Sequence, residues 1–265
     1  MFKLCIALFF SFYSLSVVAL DSVKPIECNT PLKLSITNDW YPYVRYSQYE
    51  EPSGVDVELL RKVLLEMDCD LIVLQFPERR SLFELSMGNF DIALGASKNP
   101  EREADFHFSK KYRIERNRFA YRQNDSSLQS VISLKEIIKN RKLIGVNLAG
   151  WYGDELEHAK KDYNGFIFSE TTIKRLEMLA KNRVDIVIDD DVVLCSEITR
   201  QNHKNVNIHP LLLSQADIHF IFNKQSISPT FMAQFNKALE TVLASGELDS
   251  LFSDFVSSTC SNLLH

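Results

Sequence analysis

A strand–helix–strand–helix–strand order that occurs twice restricts the fold of this chain more than any other sequence feature. In the first copy, the stretch "VDVELLRKVLLEMD" repeats apolar residues at the 3.6-residue spacing of an amphipathic helix. Around it lie three short apolar runs typical of buried strands, "LKLSIT", "DLIVLQF" and "FDIALGA", and a second helical stretch, "SLFELSMGN", which ends near Gly88. This order predicts a parallel sheet with helices on its faces.

The second copy follows a link that is first strand-like and then polar, "NRFAYRQNDSSLQS". It comprises the strands "KLIGVNL", "GFIFS" and "VDIVID" and the helices "DELEHAKKD" and "TTIKRLEMLAKN", the latter with Thr171 or Thr172 as N-cap. Two such units in 265 residues predict two α/β lobes. A further strand, "DIHFIFNK", and two helical stretches separated by Gly246 follow, and these helices need a lobe to pack on.

The N-terminal residues have the pattern of a secretory signal peptide. Lys3 precedes the apolar run "LCIALFFSFYSLSVVAL", which ends near the small residue Ala19. The alternative is an uncleaved membrane anchor, but a run of 17 residues with three serines is short and polar for a membrane span. We therefore predict a signal peptide at residues 1–19, cleavage after Ala19 and an exported protein.

Four cysteines remain after the signal peptide, namely Cys28, Cys69, Cys195 and Cys260. None belongs to a C-x-x-C pair, so the pattern favours disulfides in an oxidising compartment over a zinc or redox site. Four cysteines allow three pairings. Cys28 and Cys69 each lie just before a predicted strand, and two parallel neighbouring strands would place them at one edge of the sheet. We predict the disulfide Cys28–Cys69, which leaves Cys195–Cys260 by elimination.

Charge and motif content argue against several classes of function. The chain has 30 basic and 35 acidic residues and a net charge of −5, without a basic tract, so nucleic acid is not an expected partner. It has no Gly-rich phosphate loop, no H-E-x-x-H pair and no Ser or Cys nucleophile elbow. Its six histidines are scattered. We therefore predict no metal site and no cofactor.

Six segments, in their order along the chain, resemble the motifs of one family. They are "NDWYPYVRY", "GVDVELLRKVL", "MGNFDIALGASKNPER", "FHFSKKY", "NRVDIVIDDD" and "FNKALETVLASGELDSLFSDF". Together they are similar to the bacterial extracellular solute-binding proteins of family 3, the periplasmic amino-acid-binding components of ABC transporters. The resemblance extends from about Leu32 to Phe255, and Asn99 stands where the family usually has Thr.

The resemblance implies a two-lobed α/β fold of the type II periplasmic-binding-protein class. Each lobe would be a mainly parallel sheet flanked by helices, and a two-strand hinge near 113–117 and 214–217 would join them. Lobe 1 would comprise residues 20–114 and 218–265, and lobe 2 residues 115–217. Such proteins bind one small molecule between the lobes and close by hinge motion.

The same resemblance implies the partners of the protein. We expect an amino-acid-like zwitterion or amine as the ligand and the membrane permease of an ABC importer as the recipient. The protein itself is expected to act in the periplasm as a monomer. The preferred hypothesis is therefore a binding protein without catalysis.

Two charged residues are assigned to the ends of a zwitterionic ligand by the resemblance. Arg102 stands at the position of the carboxylate clamp, where a planar guanidinium can donate two parallel hydrogen bonds. Its alternative role is a solvated surface charge. Asp190, at the end of the strand "VDIVID", stands where a carboxylate binds the ligand's ammonium group. Its alternative role is the N-cap of the next helix, and Asp189 or Asp191 could fill either role.

The remaining candidate ligand residues come from both lobes. Trp40 stands where the family places an aromatic over the ligand side chain, although ordinary core packing is its alternative. Backbone N–H groups of the turn that contains Gly95 and Ser97 are expected to add hydrogen-bond donors. In lobe 2, Trp151 and Tyr152 replace the hydroxyl residues that are usual in the family.

A further departure from the family pattern is Glu78, which stands where an aromatic is usual. An extra acid together with more aromatics favours a polar or cationic ligand side chain. Glu78 also keeps an alternative function open, an enzyme on the same scaffold similar to cyclohexadienyl or arogenate dehydratase. Such an enzyme needs a proton donor or acceptor with a tuned pKa in the cleft.

Overall fold

The computed structural model describes residues 25–264, apart from the side chains of Glu78 and Arg79. Its strands are β1 (Leu32–Ile36), β2 (Arg45–Ser47), β3 (Glu50–Ser53), β4 (Leu71–Gln75), β5 (Ile92–Ser97), β6 (Phe106–Phe108), β7 (Arg113–Arg122), β8 (Ile144–Asn147), β9 (Phe166–Ser169), β10 (Ile186–Asp190), β11 (Val206–Ile208) and β12 (Ser214–Asn223). Its α-helices are α1 (Val55–Leu65), α2 (Glu78–Ser86), α3 (Pro100–Asp105), α4 (Leu134–Lys139), α5 (Asp154–Asp162), α6 (Thr172–Ala180), α7 (Asp191–Arg200), α8 (Pro229–Ala244) and α9 (Glu247–Phe255).

The strands form two parallel groups joined by an antiparallel pair. The main order is β4-β1-β5-β12-β7-β10-β8-β9. Within it, β4, β1 and β5 are parallel neighbours, as are β10, β8 and β9. Between the groups, β12 and β7 are antiparallel, with Ser214 opposite Asn117 and Ile218 opposite Arg113. The two-lobed α/β fold expected from the repeated pattern is therefore confirmed, and the two predicted hinge segments lie side by side.

Local sequence signals define the ends of several helices. Ser228 accepts the N–H of Phe231 at 3.1 Å and so caps α8, which has a proline in its first turn. Thr171 caps α6 in the same way through the N–H of Lys174, at 3.3 Å. Gly246 has a φ of +82°, a conformation that favours glycine, and turns the chain from α8 into α9.

The elements that the sequence pattern did not predict are short. They are the β2–β3 hairpin, β6, β11 and α4. Segments of three to six residues are too short to show a helical or strand period. Strands β6 and β11 each form by pairing with a long strand, β12 and β7 respectively, so tertiary contacts decide their conformation.

Helix α7 contributes residues to one hydrophobic core of each strand group. Val192 and Val193 pack with the apolar residues of α1, α8 and α9, in the core of the first strand group. Leu194 packs with β10 and α6, in a core of the second strand group. The lobe boundaries stay a prediction, and α7 joins the two lobes whichever residue divides them.

Both predicted disulfides are present. Cys28 and Cys69 have a Cα–Cα distance of 4.8 Å, because Leu32 of β1 lies opposite Leu71 of β4 and the preceding segments meet at one sheet edge. Cys195 of α7 is bonded to Cys260, which follows α9, with a Cα–Cα distance of 5.8 Å. The second disulfide therefore ties α7 to the C-terminal segment.

The predicted signal peptide, residues 1–19, lies outside the described residues. Within residues 25–264, no helix has the length and apolar character that a membrane crossing requires.

We expect removal of either disulfide to destabilise the protein by a similar amount. The paired replacement of Cys195 and Cys260 by Ala opens a loop of 65 residues, and that of Cys28 and Cys69 opens one of 41 residues. The chain-entropy model assigns about 4 kcal/mol to each, since the cost depends only on the logarithm of loop length. Urea unfolding of the two double variants tests this, and a loss below about 1 kcal/mol in either would contradict it.

Candidate functional site

A cleft of about 200 Å³ lies where the carboxyl ends of the two parallel strand groups face each other. On one side, its lining comes from the segment after β1 and from the end of β5. On the other side, it comes from the ends of β8 and β10 and the loop before α5. Ligands of open α/β sheets bind at this edge because loops and helix N-termini converge there.

Six of the eight ligand residues predicted from the sequence line this cleft. They are Trp40, Gly95, Ser97, Arg102, Trp151 and Tyr152. Asp190 is not part of the lining. Glu78 begins α2, but its side chain lies outside the described part of the chain. The role of each residue in binding stays a prediction.

Arg102 is directed into the cleft by the short helix α3. Asn99 caps this helix by accepting the N–H of Arg102 at 2.8 Å, which fixes the backbone at the arginine. The guanidinium donates through Nη1 to the carbonyl and the hydroxyl of Ser97, at 3.0 and 3.3 Å. Among the described residues it forms no ion pair, and burial lowers its pKa. A half-buried guanidinium with unused N–H groups can receive an anion.

Trp40 and Gly95 pack against each other on the lobe 1 side of the cleft. Gly95 has a φ of +65°, and a Cβ atom there would lie 2.8 Å from the Trp40 ring. Both the conformation and the close approach therefore favour glycine. The indole Nε1–H points across the cleft to Asp189 Oδ1, at 3.4 Å. Trp40 thus covers the site and contacts the opposite strand group.

The two aromatics of the loop before α5 differ in their surroundings. Tyr152 is buried, its hydroxyl accepts the N–H of Asn147 at 2.8 Å, and burial raises its pKa. Lys160 lies over its ring, 4.9 Å from the centroid. Trp151 is partly exposed in the cleft lining. Tyr152 therefore supports this wall of the cleft, and Trp151 is the more accessible ring.

Asp190 occupies the N-cap position of α7, the alternative role that the sequence left open. Its Oδ1 accepts the N–H groups of Val192 and Val193, at 3.0 and 3.1 Å, and the hydroxyl of Tyr43 at 2.9 Å. Its Oδ2 accepts the N–H of Arg116 at 3.3 Å. The residue is 1% exposed, and burial raises the pKa of its carboxyl to about 6. Asp190 lies behind the cleft surface, one residue from the cleft-lining Asp189.

Four carboxylate residues line the cleft, and two of them have an arginine partner. Asp39 pairs with Arg200 at 2.7 Å. Asp189 pairs with the buried Arg175 and also accepts the hydroxyl of Thr172. The other two are Glu115, which is buried, and Glu170, which is exposed. With Arg102 as the one cationic residue of the lining, the cleft carries an excess of negative charge.

Glu115 is the cleft residue that sequence reasoning missed. Strand β7 alternates, and its first three inward positions are the polar residues Arg113, Glu115 and Asn117. A buried core strand rarely carries three polar residues on its inner face, so this stripe was the available signal. Glu115 Oε1 accepts from Asn117 Nδ2 at 3.0 Å. Burial and the neighbouring Asp190 raise the pKa of its carboxyl to about 7.

Comparison with known proteins gives one family match. The model of the bacterial extracellular solute-binding proteins, family 3, matches residues 32–258. No curated protein matches the sequence significantly.

Solved structures with the same fold share little sequence identity with this chain. One is an amino acid ABC transporter substrate-binding protein, AbpA, from Streptococcus pneumoniae bound to L-arginine. It has a TM-score of 0.72 and 21% identity, and the match covers 91% of this chain and 98% of that one. A second is the arginine-, lysine-, histidine-binding protein ArtJ from Geobacillus stearothermophilus, with a TM-score of 0.72, 21% identity and 89% and 100% covered. A third is the ancestral amino acid-binding protein AncCDT-1, a precursor of cyclohexadienyl dehydratase, with a TM-score of 0.70, 18% identity and 86% and 96% covered. At these identities the similarity shows the fold alone.

We expect Glu115→Gln to stabilise the ligand-free protein at pH 8 by roughly 2–3 kcal/mol. The folded-state pKa of Glu115, about 7, lies above its ordinary value of 4.5, so the folded state favours the protonated carboxyl. That contribution is complete below about pH 4.5 and is lost as the pH rises through about 7. Glutamine stays neutral throughout.

Urea unfolding at pH 5 and pH 8 measures this effect. The stabilisation by Glu115→Gln is expected at pH 8 and should be much smaller at pH 5. Glu170→Gln makes the same chemical change at an exposed cleft position and should alter stability little at either pH. Equal stability of Glu115→Gln and the unmodified protein at pH 8 would show that folding does not raise the pKa of Glu115.

Proposed function

The chain belongs to the bacterial extracellular solute-binding proteins, family 3, and we propose that it binds one amino acid, or a related small amine, in the cleft between its lobes. We further propose that it acts in the periplasm and delivers this ligand to the membrane permease of an ABC importer. The observation that carries the proposal is the charge pattern of the cleft, a single guanidinium facing several carboxylates.

Arg102 is the proposed receptor for the ligand's carboxylate. Its guanidinium lies in the lining, has no ion pair among the described residues and is held in place through Ser97 and the Asn99 cap. A planar guanidinium binds a carboxylate through two parallel hydrogen bonds, which fixes the orientation as well as the position of the ligand. The hydroxyl of Ser97 lies beside it and is the next available donor.

The excess of carboxylates supports a ligand with more than one positive group. Arginines already neutralise Asp39 and Asp189, which leaves Glu115 and Glu170 against the single Arg102. An amino acid with a cationic side chain would balance this set, with its ammonium and its side-chain cation each near a carboxylate. The faces of Trp40 and Trp151 suit such a cation as well. Two of the structures of similar fold are named for arginine binding or bound to arginine.

The lobes are proposed to divide as the resemblance implies, at 20–114 with 218–265 and at 115–217. The antiparallel pair β7–β12 then forms the hinge. Trp40 and Arg102 line one side of the cleft and Trp151 lines the other, so a ligand contacts both sides best when the cleft is closed. Ligand would therefore shift the population toward the closed form.

A dehydratase-like enzyme is the alternative function. One protein of similar fold is described as a precursor of cyclohexadienyl dehydratase. Glu78, the acid on which this alternative rests, begins α2, and its side chain is not among those described. An assay for turnover of prephenate and arogenate decides between the two functions.

We expect Arg102→Ala to weaken binding of an amino acid by roughly 2–5 kcal/mol, or about 30-fold to several-thousand-fold, because the ligand's carboxylate would lose its charged partner. A thermal-shift screen of the amino acids identifies the ligand first, and calorimetry then gives the dissociation constants. Arg80→Ala is the matched control, since Arg80 is exposed, pairs with Glu84 and lies outside the cleft lining. Unchanged affinity in Arg102→Ala would refute the carboxylate assignment.

Small-angle X-ray scattering tests the hinge. An amino acid identified in the thermal-shift screen should lower the radius of gyration at saturation, because closure brings the lobes together. The same addition to Arg102→Ala, at a concentration too low to saturate it, should leave the radius unchanged. An identical radius for free and saturated protein would show that hinge closure does not accompany binding.

A further inference from the structure

Glu115 is a carboxylate of the cleft whose negative charge no cation in its surroundings balances directly. It is 9% exposed, and its single hydrogen bond among the described residues comes from the neutral amide of Asn117. The other acids of the lining are paired or solvated, Asp39 with Arg200, Asp189 with Arg175, and Glu170 in water. A buried carboxylate without a cationic partner is stable only if it is protonated or if a bound ligand supplies a cation.

The groups around Glu115 do not supply that cation. From β7 itself come Arg113 and Asn117, but the Arg113 guanidinium forms a bidentate ion pair with Asp56, at 3.0 and 3.1 Å. From the β10–α7 junction come Asp189 and Asp190, both acids, which add negative potential.

The remaining charged or titratable neighbours of Glu115 also form their hydrogen bonds with other groups. The negative charge of Glu115 favours the charged form of Arg102 on α3. The Nη1 of Arg102, however, donates to the carbonyl of Ser97. Tyr152 lines the same cleft, its hydroxyl accepts the N–H of Asn147, and burial raises its pKa and keeps it neutral. The cations among these neighbours, Arg113 and Arg102, donate hydrogen bonds to Asp56 and Ser97, and neither forms an ion pair with Glu115.

We infer that Glu115 is the residue that binds the ligand's ammonium group, and that it releases a proton to solvent when it does so. The inference rests on the proposed function and deepens it, because it names the residue that selects an amine and the ion that is exchanged for it. A neutral Glu115 carboxyl and a ligand ammonium become a carboxylate–ammonium pair plus one proton in solvent, so that charge and atoms balance.

Asp190 is not the exchanging group in this arrangement. Its two oxygens accept backbone N–H groups of α7 and β7 and the Tyr43 hydroxyl, and it lies outside the lining. An ammonium in the cleft therefore meets Glu115 and not Asp190. Helix N–H groups that already hold a carboxylate satisfy it whether or not a ligand is present.

Because Glu115 must lose a proton, the affinity for the ligand's ammonium group should fall as the pH falls. Burial and the charge of Asp190 raise the pKa of Glu115 to about 7, so the empty cleft holds the proton below that pH. Affinity should be nearly constant between about pH 8 and the pKa of the ligand's own ammonium group, and it should fall about tenfold for each pH unit below 7, because a proton must leave Glu115 before the ammonium binds. About half a proton should be released per ligand at pH 7 and close to none at pH 8.5.

Calorimetric titration measures the released protons directly. The 20 standard amino acids are titrated singly into the full mature chain at pH 7 in phosphate and in Tris, two buffers with different ionisation enthalpies. For each amino acid that binds, the difference in heat gives the number of protons. Glu115→Gln should release none, and at pH 8 it should bind about 30-fold or more weakly. If Glu115→Gln binds too weakly to titrate, Glu115→Asp should bind measurably and again release protons.

Glu170→Gln is the matched control, since it changes an exposed carboxylate of the same lining and should leave proton release unchanged. Proton release that persists in Glu115→Gln, or that is absent from the unmodified protein and from Glu115→Asp, would overturn the inference while the proposed function stands. If neither an amino acid nor a small amine gives heat of binding with the unmodified protein, the proposed function falls and this inference falls with it.

Discussion

Asp56 and Arg113 form a bidentate ion pair in the core, where their side chains are 0% and 2% exposed. The Tyr112 hydroxyl donates to the same carboxylate at 2.6 Å, and the Tyr43 ring lies 3.6 Å from the guanidinium carbon. Removing one partner of a buried pair costs about 3–5 kcal/mol because the other charge remains unpaired. The pair fixes the start of α1 against the start of β7, which places the hinge strand relative to lobe 1.

The walls of the cleft depend on this cluster. Tyr43 packs on Arg113 and donates its hydroxyl to Asp190, so the aromatic segment after β1 is connected to the start of α7. Trp40 packs 4.9 Å from Tyr43, between centroids, and reaches Asp189. Helix α7 packs into one core of each strand group, and its Cys195 is bonded to Cys260. The two lobes are therefore connected through one buried polar network and one helix in addition to the strand pair.

Charge is distributed unevenly across this arrangement. Arginines neutralise Asp56, Asp189 and Asp191, by contacts of Arg113, Arg175 and Arg118. Glu115, on the same strand as Arg113, has no such partner among the described residues. A buried, unpaired carboxylate lowers the stability of the empty protein, and natural sites tolerate this where the group binds something. This distribution is the observation from which we infer a ligand-binding role for Glu115, whereas Asp56 is held in a buried ion pair.

The sequence by itself determined the order of the longer strands and helices, the two-lobed fold and the disulfides Cys28–Cys69 and Cys195–Cys260. Apolar periodicity and cap residues are local, and a disulfide between strand starts follows once the strands are known to be parallel neighbours. It also predicted Trp40, Gly95, Ser97, Arg102, Trp151 and Tyr152, which all line the cleft.

Only the tertiary structure decided which acidic side chains face the cleft. Asp189, Asp190 and Asp191 are consecutive, and which one faces the cleft depends on the residue at which β10 ends and α7 begins. Asp190 became the cap, and Asp189 lines the cleft beside Arg175. For Glu115 the sequence offered only the polar stripe on β7, because its distinctive state comes from its burial, the neighbouring Asp190 and the ion pair that Arg113 forms with Asp56. Those three causes are contacts between residues far apart in the chain, which no local pattern records.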